Sequence, residues 1–92
     1  MGRMPFMRPV FLRSKHFPTN QYRAGDVSDA IQFMEQFWTA PKTGEYRRAQ
    51  AICRSAMDNL ITAESARAYF IAAAEHAGIL DRSRSRSFNS AA

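Results

Sequence analysis

The sequence predicts an α+β domain in which a short antiparallel sheet of two or three strands packs with three helices, in the order β-β-α-α-α. Two observations predict this class. A strand-like run and a turn lie near the amino terminus, and three later stretches place apolar residues at the three-and-four spacing of an amphipathic helix. We expect one domain over residues 9–80, a loose lead-in over 1–8, and a disordered basic tail over 81–92.

The sheet is expected to begin at Pro9, because the run VFLRS that follows is rich in β-branched and aromatic residues. Proline is tolerated at the first position of a strand. Residues 15–20 are turn-like, and residues 21–24 are predicted to return as the second strand. A hairpin this short needs a helix over one face. Ile79 and Leu80 are candidates for a third, edge strand.

The first helix is predicted after Gly25, with Asp26 or Ser28 as its N-cap and Pro41 as its stop. Its apolar stripe consists of Val27, Ala30, Ile31, Met34, Phe37 and Trp38. A second helix follows a loop, and Asn59 is its expected left-handed terminator. The second stripe consists of Tyr46, Ala49, Ile52, Cys53, Ala56, Met57 and Leu60.

The third helix is predicted over residues 62–79, and both of its ends are marked. Thr62 is the expected N-cap, Glu64 places negative charge in the positive first turn, and Gly78 is suited to the left-handed position after the helix. Its core stripe consists of Ala63, Ala66, Tyr69, Phe70, Ala73, Ala74 and Ala77. We expect the rest of the chain to be arranged around this helix.

The opposite face of the third helix carries small apolar residues that let a second backbone approach closely. Ala68, Ile71 and Ala72 lie there, together with Glu75. A helix that is apolar on two sides is expected to be covered on both. The cover is predicted to be the sheet and the other helices, or a second subunit, and these four residues are the candidate interface.

The formal net charge of +5 is divided unevenly along the chain. The first 25 residues carry five basic side chains and no acid, and the tail carries Arg82, Arg84 and Arg86, which form a candidate basic arm. The body between them is mildly acidic. The basic charge therefore indicates solvated terminal arms more than a nucleic-acid-binding surface on the folded domain.

The chain has one cysteine, so an internal disulfide is excluded, and no apolar run approaches the roughly 20 residues of a membrane span. We expect a cytoplasmic protein without a membrane partner.

The order of residues from Trp38 onward carries a resemblance. A tryptophan and a glycine-bearing loop precede a helix with an aromatic residue, alanine and cysteine, and an alanine-arginine pair then opens an alanine-rich helix closed by alanine-glycine-isoleucine. The matching residues are Trp38, Gly44, Tyr46, Ala49, Cys53, Ala66, Arg67, Phe70, Ala73, Ala74, Glu75, Ala77, Gly78 and Ile79. Across residues 9–80 the chain resembles the small bacterial domain-of-unknown-function family 982.

The resemblance implies a short sheet with three helices and supplies no activity. Thr39 and Asn59 stand where the family usually has proline and glycine, and both are local changes in turns. Neither change replaces a polar residue suited to catalysis.

The reactive side chains favour structural roles. Cys53 lies on an apolar stripe, so a packed thiol is favoured over a nucleophile served by His16 or His76. One cysteine with two separated histidines lacks the spacing of a zinc site.

Arg67 is expected to pair with Glu64, Glu75 or Asp58, with an anion clamp as the alternative. Phe37 and Trp38 are expected to be buried in the core rather than to form an interaction patch.

We therefore expect a protein that is not an enzyme, has no cofactor and shows no sign of a small-molecule substrate. The first functional hypothesis is a protein-interaction module that forms a homodimer or binds another protein, through the third helix or the open edge of the sheet. The alternative is weak, non-specific binding of nucleic acid by the basic arms, which would depend steeply on salt. As a recognition helix, residues 62–79 lack the Arg, Asn and Gln that read base edges.

Overall fold

A computed structural model describes residues 4–81 of the chain. Two antiparallel strands, β1 (Pro5–Arg13) and β2 (Gln21–Asp26), form a hairpin. Three helices follow. These are α1 (Val27–Gln32), which continues into a π-helical turn (Phe33–Phe37), α2 (Gly44–Met57) and α3 (Ala63–Ala77). The predicted α+β arrangement, β-β-α-α-α, is confirmed.

Strand β1 begins at Pro5, four residues earlier than predicted. Residues 5–8 were expected in the lead-in, but Phe6 is buried and anchors them to the core. The extension was not predicted because this segment contains Pro5 and Pro9, and proline cannot donate a hydrogen bond to a neighbouring strand. The pairing register shifts between Pro5 and Val10. An irregularity of this kind interrupts the ladder locally and so tolerates proline. Residues 1–3 of the predicted lead-in lie outside the described residues.

The predicted third strand exists as a single antiparallel bridge between Leu12 and Leu80. The Arg13 N–H donates to the Ile79 carbonyl at 2.8 Å, and the Asp81 N–H donates to the Phe11 carbonyl at 2.8 Å. The segment 79–81 therefore covers the outer edge of β1. Asp81, predicted as the first residue of the tail, belongs to the folded domain, whereas residues 82–92 lie outside the described residues.

The predicted caps and left-handed terminators are confirmed, but the first helix ends at Phe37, before the predicted stop at Pro41. Asp26 caps α1, since its Oδ1 accepts from the Asp29 N–H at 2.7 Å. Thr62 caps α3 by accepting from the Ser65 N–H at 3.1 Å. Asn59 and Gly78 follow α2 and α3 with φ of 63° and 77°, the left-handed conformation in which an L side chain is strained.

The core is built from one face of each helix and the inner face of the hairpin. Phe33 lies at its centre, on the π-helical turn, and Phe70 of α3 packs edge-on against it with ring centroids 6.3 Å apart. Trp38 is buried as predicted, and Phe37 is half-buried. The other buried apolar residues are Phe6, Val10, Leu12, Ala24, Val27, Ala30, Met34, Tyr46, Ala49, Cys53, Ala56, Ala66, Ala73 and Ala74.

The π-helical turn is held by a buried hydrogen bond from α2. The Tyr46 hydroxyl donates to the Met34 carbonyl at 2.7 Å, and both residues are buried. Met34 lies in the last turn before the chain leaves the helix at Trp38, and the carbonyls of a last turn have no partner within the helix. Tyr46 supplies one, which explains why this aromatic residue carries a hydroxyl inside the core.

Replacing Tyr46 with phenylalanine is therefore expected to destabilise the fold by about 1–3 kcal/mol, because the Met34 carbonyl loses its partner while remaining buried. Guanidinium denaturation would measure the change. Tyr69→Phe is the matched control, since Tyr69 is exposed on α3, and it is expected to leave stability unchanged. Equal stability of the two variants would contradict the prediction.

Candidate interaction surface

The outward face of α3 is the candidate surface predicted from the sequence. Ala68, Ala72 and Glu75 are exposed, and Ile71 is half-buried and packs against the core. The sheet and the other helices of the same chain do not cover Ala68 or Ala72, so that half of the prediction is wrong for these two residues. Cover by a second subunit stays a prediction.

Neighbouring elements hold α3 on its remaining sides. Toward α2, His76 Nε2 lies 3.6 Å from Glu45 Oε1, which joins the end of α3 to the start of α2 and shows that the two helices are antiparallel. The pKa of the Glu45 carboxyl is lowered by its own backbone N–H, then by His76 and the Thr43 hydroxyl. Toward the sheet, α3 packs along β1. These contacts fix which face of α3 points outward.

Arg67 contacts the backbone of β1. Its Nε donates to the Arg8 carbonyl at 2.9 Å, and one turn earlier Glu64 Oε2 accepts from the Met7 N–H at 2.8 Å. The sequence favoured a carboxylate partner for Arg67, and the partner in this contact is a carbonyl instead. It was not predicted, because Met7 and Arg8 were assigned to the lead-in.

These contacts close one edge of the sheet. Side chains of α3 form hydrogen bonds with backbone groups of β1 at residues 7–8. Segment 79–81 does the same at residues 11–13. On β2, the Gly25 N–H donates to Asp29 Oδ2 at 2.9 Å, and Arg23 is exposed. A short edge strand that carries a charged residue resists pairing with another strand. The edge of the sheet is therefore a poorer docking place than the face of α3.

Tyr22 ties β2 to α1 beneath this edge. Its hydroxyl donates to the Asp29 carbonyl at 3.0 Å. Burial, with smaller contributions from the charges of Asp29 and Asp26, raises the pKa of Tyr22 to about 12. The hydroxyl therefore stays protonated at neutral pH and keeps donating.

Two large apolar side chains are strongly exposed at the amino end of α3. Met7 is 85% exposed and adjoins Glu64 through its backbone, and Leu60 is 76% exposed and comes two residues before Thr62. Met57 and Tyr69 are exposed to a smaller degree. The amino end of α3 thus has exposed apolar residues near it, and sequence reasoning missed Met7 because it lay in the expected lead-in.

Leu60 and Met57 were predicted on the buried stripe of the second helix, and that prediction is wrong. The helix ends at Met57, and the left-handed Asn59 turns the chain away from the helix path. The Leu60 N–H then donates back to the Ser55 carbonyl at 2.9 Å, a bond typical of the Schellman motif. Leu60 consequently points to solvent instead of continuing the stripe.

Cys53 is fully buried between its neighbours on α2, as predicted. Burial raises the pKa of its thiol to about 12. Within residues 4–81, no three His, Cys, Asp or Glu residues are grouped so as to hold a metal ion. Of the predicted basic arm, Arg82, Arg84 and Arg86 lie outside the part of the chain that the structure describes.

The family comparison agrees with this architecture. Residues 8–81 match the family described as "Protein of unknown function (DUF982)". The chain belongs to this family. The match begins within β1 and ends at Asp81, so it includes every helix and nearly the whole hairpin of this DUF982 domain. No significant match was found among curated proteins or among solved structures.

Among its residues 4–81, no helix has the length and apolar character needed to cross a membrane.

Proposed function

We propose that this DUF982 domain is a non-enzymatic interaction module that forms a homodimer through the outward face of α3. The observation that carries the proposal is the exposure of Ala68 and Ala72 on a helix that is packed on its other sides. Met7 and Leu60 are exposed near the amino end of α3 and would extend this face. We refer to Met7, Leu60, Ala68, Ile71, Ala72 and Glu75 as the α3 surface.

Small side chains make this face suited to another helix. Two helices packed through alanine approach to the lower end of the usual 8–10 Å range between axes. An antiparallel pair also places opposite dipole ends side by side. With Ala68 opposite the second copy's Ala72, Glu64 would lie near the second copy's His76.

The size of the surface sets the expected strength. A helix of 15 residues is about 22 Å long, so its outward face offers less than the roughly 800 Å² per partner of a standard stable interface. Met7 and Leu60 must therefore contribute. We expect a dimer that forms at micromolar rather than nanomolar concentration.

The non-enzymatic part of the proposal rests on the reactive groups. The Cys53 thiol is buried and protonated. His16 packs against the Phe37 ring with centroids 5.5 Å apart, and His76 lies beside Glu45. A nucleophile next to a base, which covalent catalysis requires, is not found among these groups in the described residues.

The proposal is tested by replacing Ala72 with glutamate. The symmetry of a homodimer introduces the new charge twice. Each glutamate would then face the α3 surface of the other copy. We expect dimerisation to weaken at least tenfold, measured by sedimentation equilibrium over a concentration series. The free energy of unfolding should change by less than about 0.5 kcal/mol, the cost of a like-charge pair with Glu75 on an exposed helix face.

Ala51→Glu is the matched control, because Ala51 is an exposed alanine on α2 away from the α3 surface. It should leave dimerisation unchanged. A wild-type chain that stays monomeric at high micromolar concentration would rule out the homodimer. Unfolding by Ala72→Glu, with Ala51→Glu tolerated, would show that Ala72 belongs to the core. Association that is abolished by nuclease and by moderate salt would instead support the nucleic-acid alternative.

A further inference from the structure

An open groove of about 600 Å³ lies at the carboxyl end of α3, far from Met7 and Leu60. Its walls come from the end of β1, the hairpin loop, the residue after Trp38 and the segment after α3. The residues used below are Arg13, Ser14, Lys15, Asn20, Thr39 and Ile79. The volume falls within the range of small-molecule sites, roughly 300–1,000 Å³.

The polar groups of this groove are predominantly donors. Arg13 and Lys15 carry positive charge, and Asn20 and Thr39 add an amide and a hydroxyl. Among residues 4–81, none of those that line the groove carries a carboxylate. Ser14 is buried in the lining, and its Oγ accepts from the His16 N–H at 3.3 Å. Groups of this kind recognise an anion.

Two negative charges near the groove have to be weighed against its cations. The carboxyl end of α3 borders it at Gly78 and contributes about half a unit of negative charge. Asp81 Oδ2 accepts from Gln21 Nε2 at 2.7 Å, and Asp81 does not line the groove. Arg13 and Lys15 together carry two formal charges, so the groove keeps a positive excess.

The walls between the polar groups are largely apolar. Ile79 is half-buried in the lining, and the aliphatic stems of Arg13 and Lys15 add to this surface. An inorganic anion would use the donors and leave the apolar wall in contact with water. A ligand that joins an anionic group to a ring or a short alkyl chain would use both.

We propose that this groove binds a small molecule that carries one phosphate or carboxylate group on an apolar body. The proposal does not depend on dimerisation through the α3 surface. The sequence offered no sign of this site, because its residues come from four separate segments and match no phosphate-binding motif.

The test is a titration of ¹⁵N-labelled protein with phenyl phosphate and with benzoate, followed by amide chemical shifts. We expect shifts confined to the residues that line the groove and their neighbours, and the comparison of the two ligands identifies the preferred anion. Inorganic phosphate and benzyl alcohol should each bind at least tenfold more weakly than the better ligand, since each lacks one half of the recognised chemistry.

The double variant Arg13→Gln with Lys15→Gln should weaken binding at least tenfold. Both residues are exposed, so the variant is expected to fold. Arg23→Gln with Arg47→Gln is the charge-matched control, because these exposed residues lie outside the groove, and its affinity should stay within twofold of the wild type. The absence of shifts at millimolar ligand, equal loss in the two double variants, or equal binding of benzyl alcohol would each overturn the proposal.

Discussion

Replacing Phe33 with alanine is expected to cost about 3–5 kcal/mol of folding free energy. The side chain is fully buried, and its ring lies 5.0 Å from that of Tyr22, 6.1 Å from that of Trp38 and 6.3 Å from that of Phe70, measured between centroids. It therefore joins β2, the end of the first helix and α3. The free energy of unfolding of a small domain is about 5–15 kcal/mol in total, so this one substitution removes much of its stability.

Thermal and guanidinium denaturation would measure the loss, and the melting temperature should fall by more than about 12 °C. Phe17→Ala is the matched control. Phe17 is half-buried, and its ring lies 5.2 Å from that of Tyr22 and 4.8 Å from that of Phe37. Its removal should cost less than about 1.5 kcal/mol, the scale of an aromatic pair at the edge of a core. Similar losses in the two variants would contradict the assignment of Phe33 as the centre of the core.

The Cys53 thiol is expected to react about 10³-fold more slowly than an exposed cysteine at pH 8. Only the thiolate is nucleophilic, and a pKa raised to about 12 leaves roughly one thiol in 10⁴ ionised at this pH. Burial of the sulfur adds a steric barrier. Reaction with a chromogenic disulfide reagent, with and without guanidinium, would measure the rate.

An Ala51→Cys variant provides the matched control, because position 51 is exposed two residues away on the same helix. Its added thiol should react at an ordinary rate while Cys53 stays protected. Rapid reaction of Cys53 in the native wild type would show that the helical core opens readily.

The same pKa shift predicts a loss of stability in alkali. The thiol has a pKa near 9.0 when unfolded and about 12 when folded, so below pH 9 both states are protonated and its contribution to stability is complete. Between pH 9 and 12 the unfolded state releases its proton first, and stability falls by about 1.4 kcal/mol per pH unit. The raised pKa of Tyr22 acts in the same direction above pH 10.

Guanidinium denaturation at intervals from pH 8 to pH 11 would reveal the slope. The Cys53→Ala variant is expected to be less stable at pH 8, because it leaves a cavity. Its stability should decline less steeply with pH, since the buried thiol is gone. Parallel curves for the two proteins would exclude Cys53 as a cause of the alkaline loss.

Features that depend on neighbours a few residues apart were predictable. Asp26 and Thr62 cap helices by bonding to the N–H three residues on, and Asn59 and Gly78 take the left-handed conformation that their side chains permit. The three apolar stripes then placed most of the core, although they omitted Phe33 and wrongly included Tyr69, which is exposed. The candidate surface on α3 followed from the same helical period, and its role as an interface is a proposal.

Features that depend on distant contacts were missed. The extension of β1 to Pro5 is held by burial of Phe6 and by Glu64, which lies 57 residues from its partner Met7. Leu60 was misplaced for a local reason, because the left-handed turn at Asn59 redirects the chain before Leu60. The π-helical turn carries an ordinary amphipathic pattern, so periodicity alone did not distinguish it from an α-helix.

Capping residues, left-handed terminators and the assignment to α+β were thus already encoded in the order of the amino acids, because capping and amphipathic periodicity act over a few residues. Two features needed the folded chain: the closed edge of β1, where Met7 meets Glu64, and the cationic groove. Each brings together side chains from distant segments, and such contacts depend on how helices and strands pack in space, which no local pattern specifies.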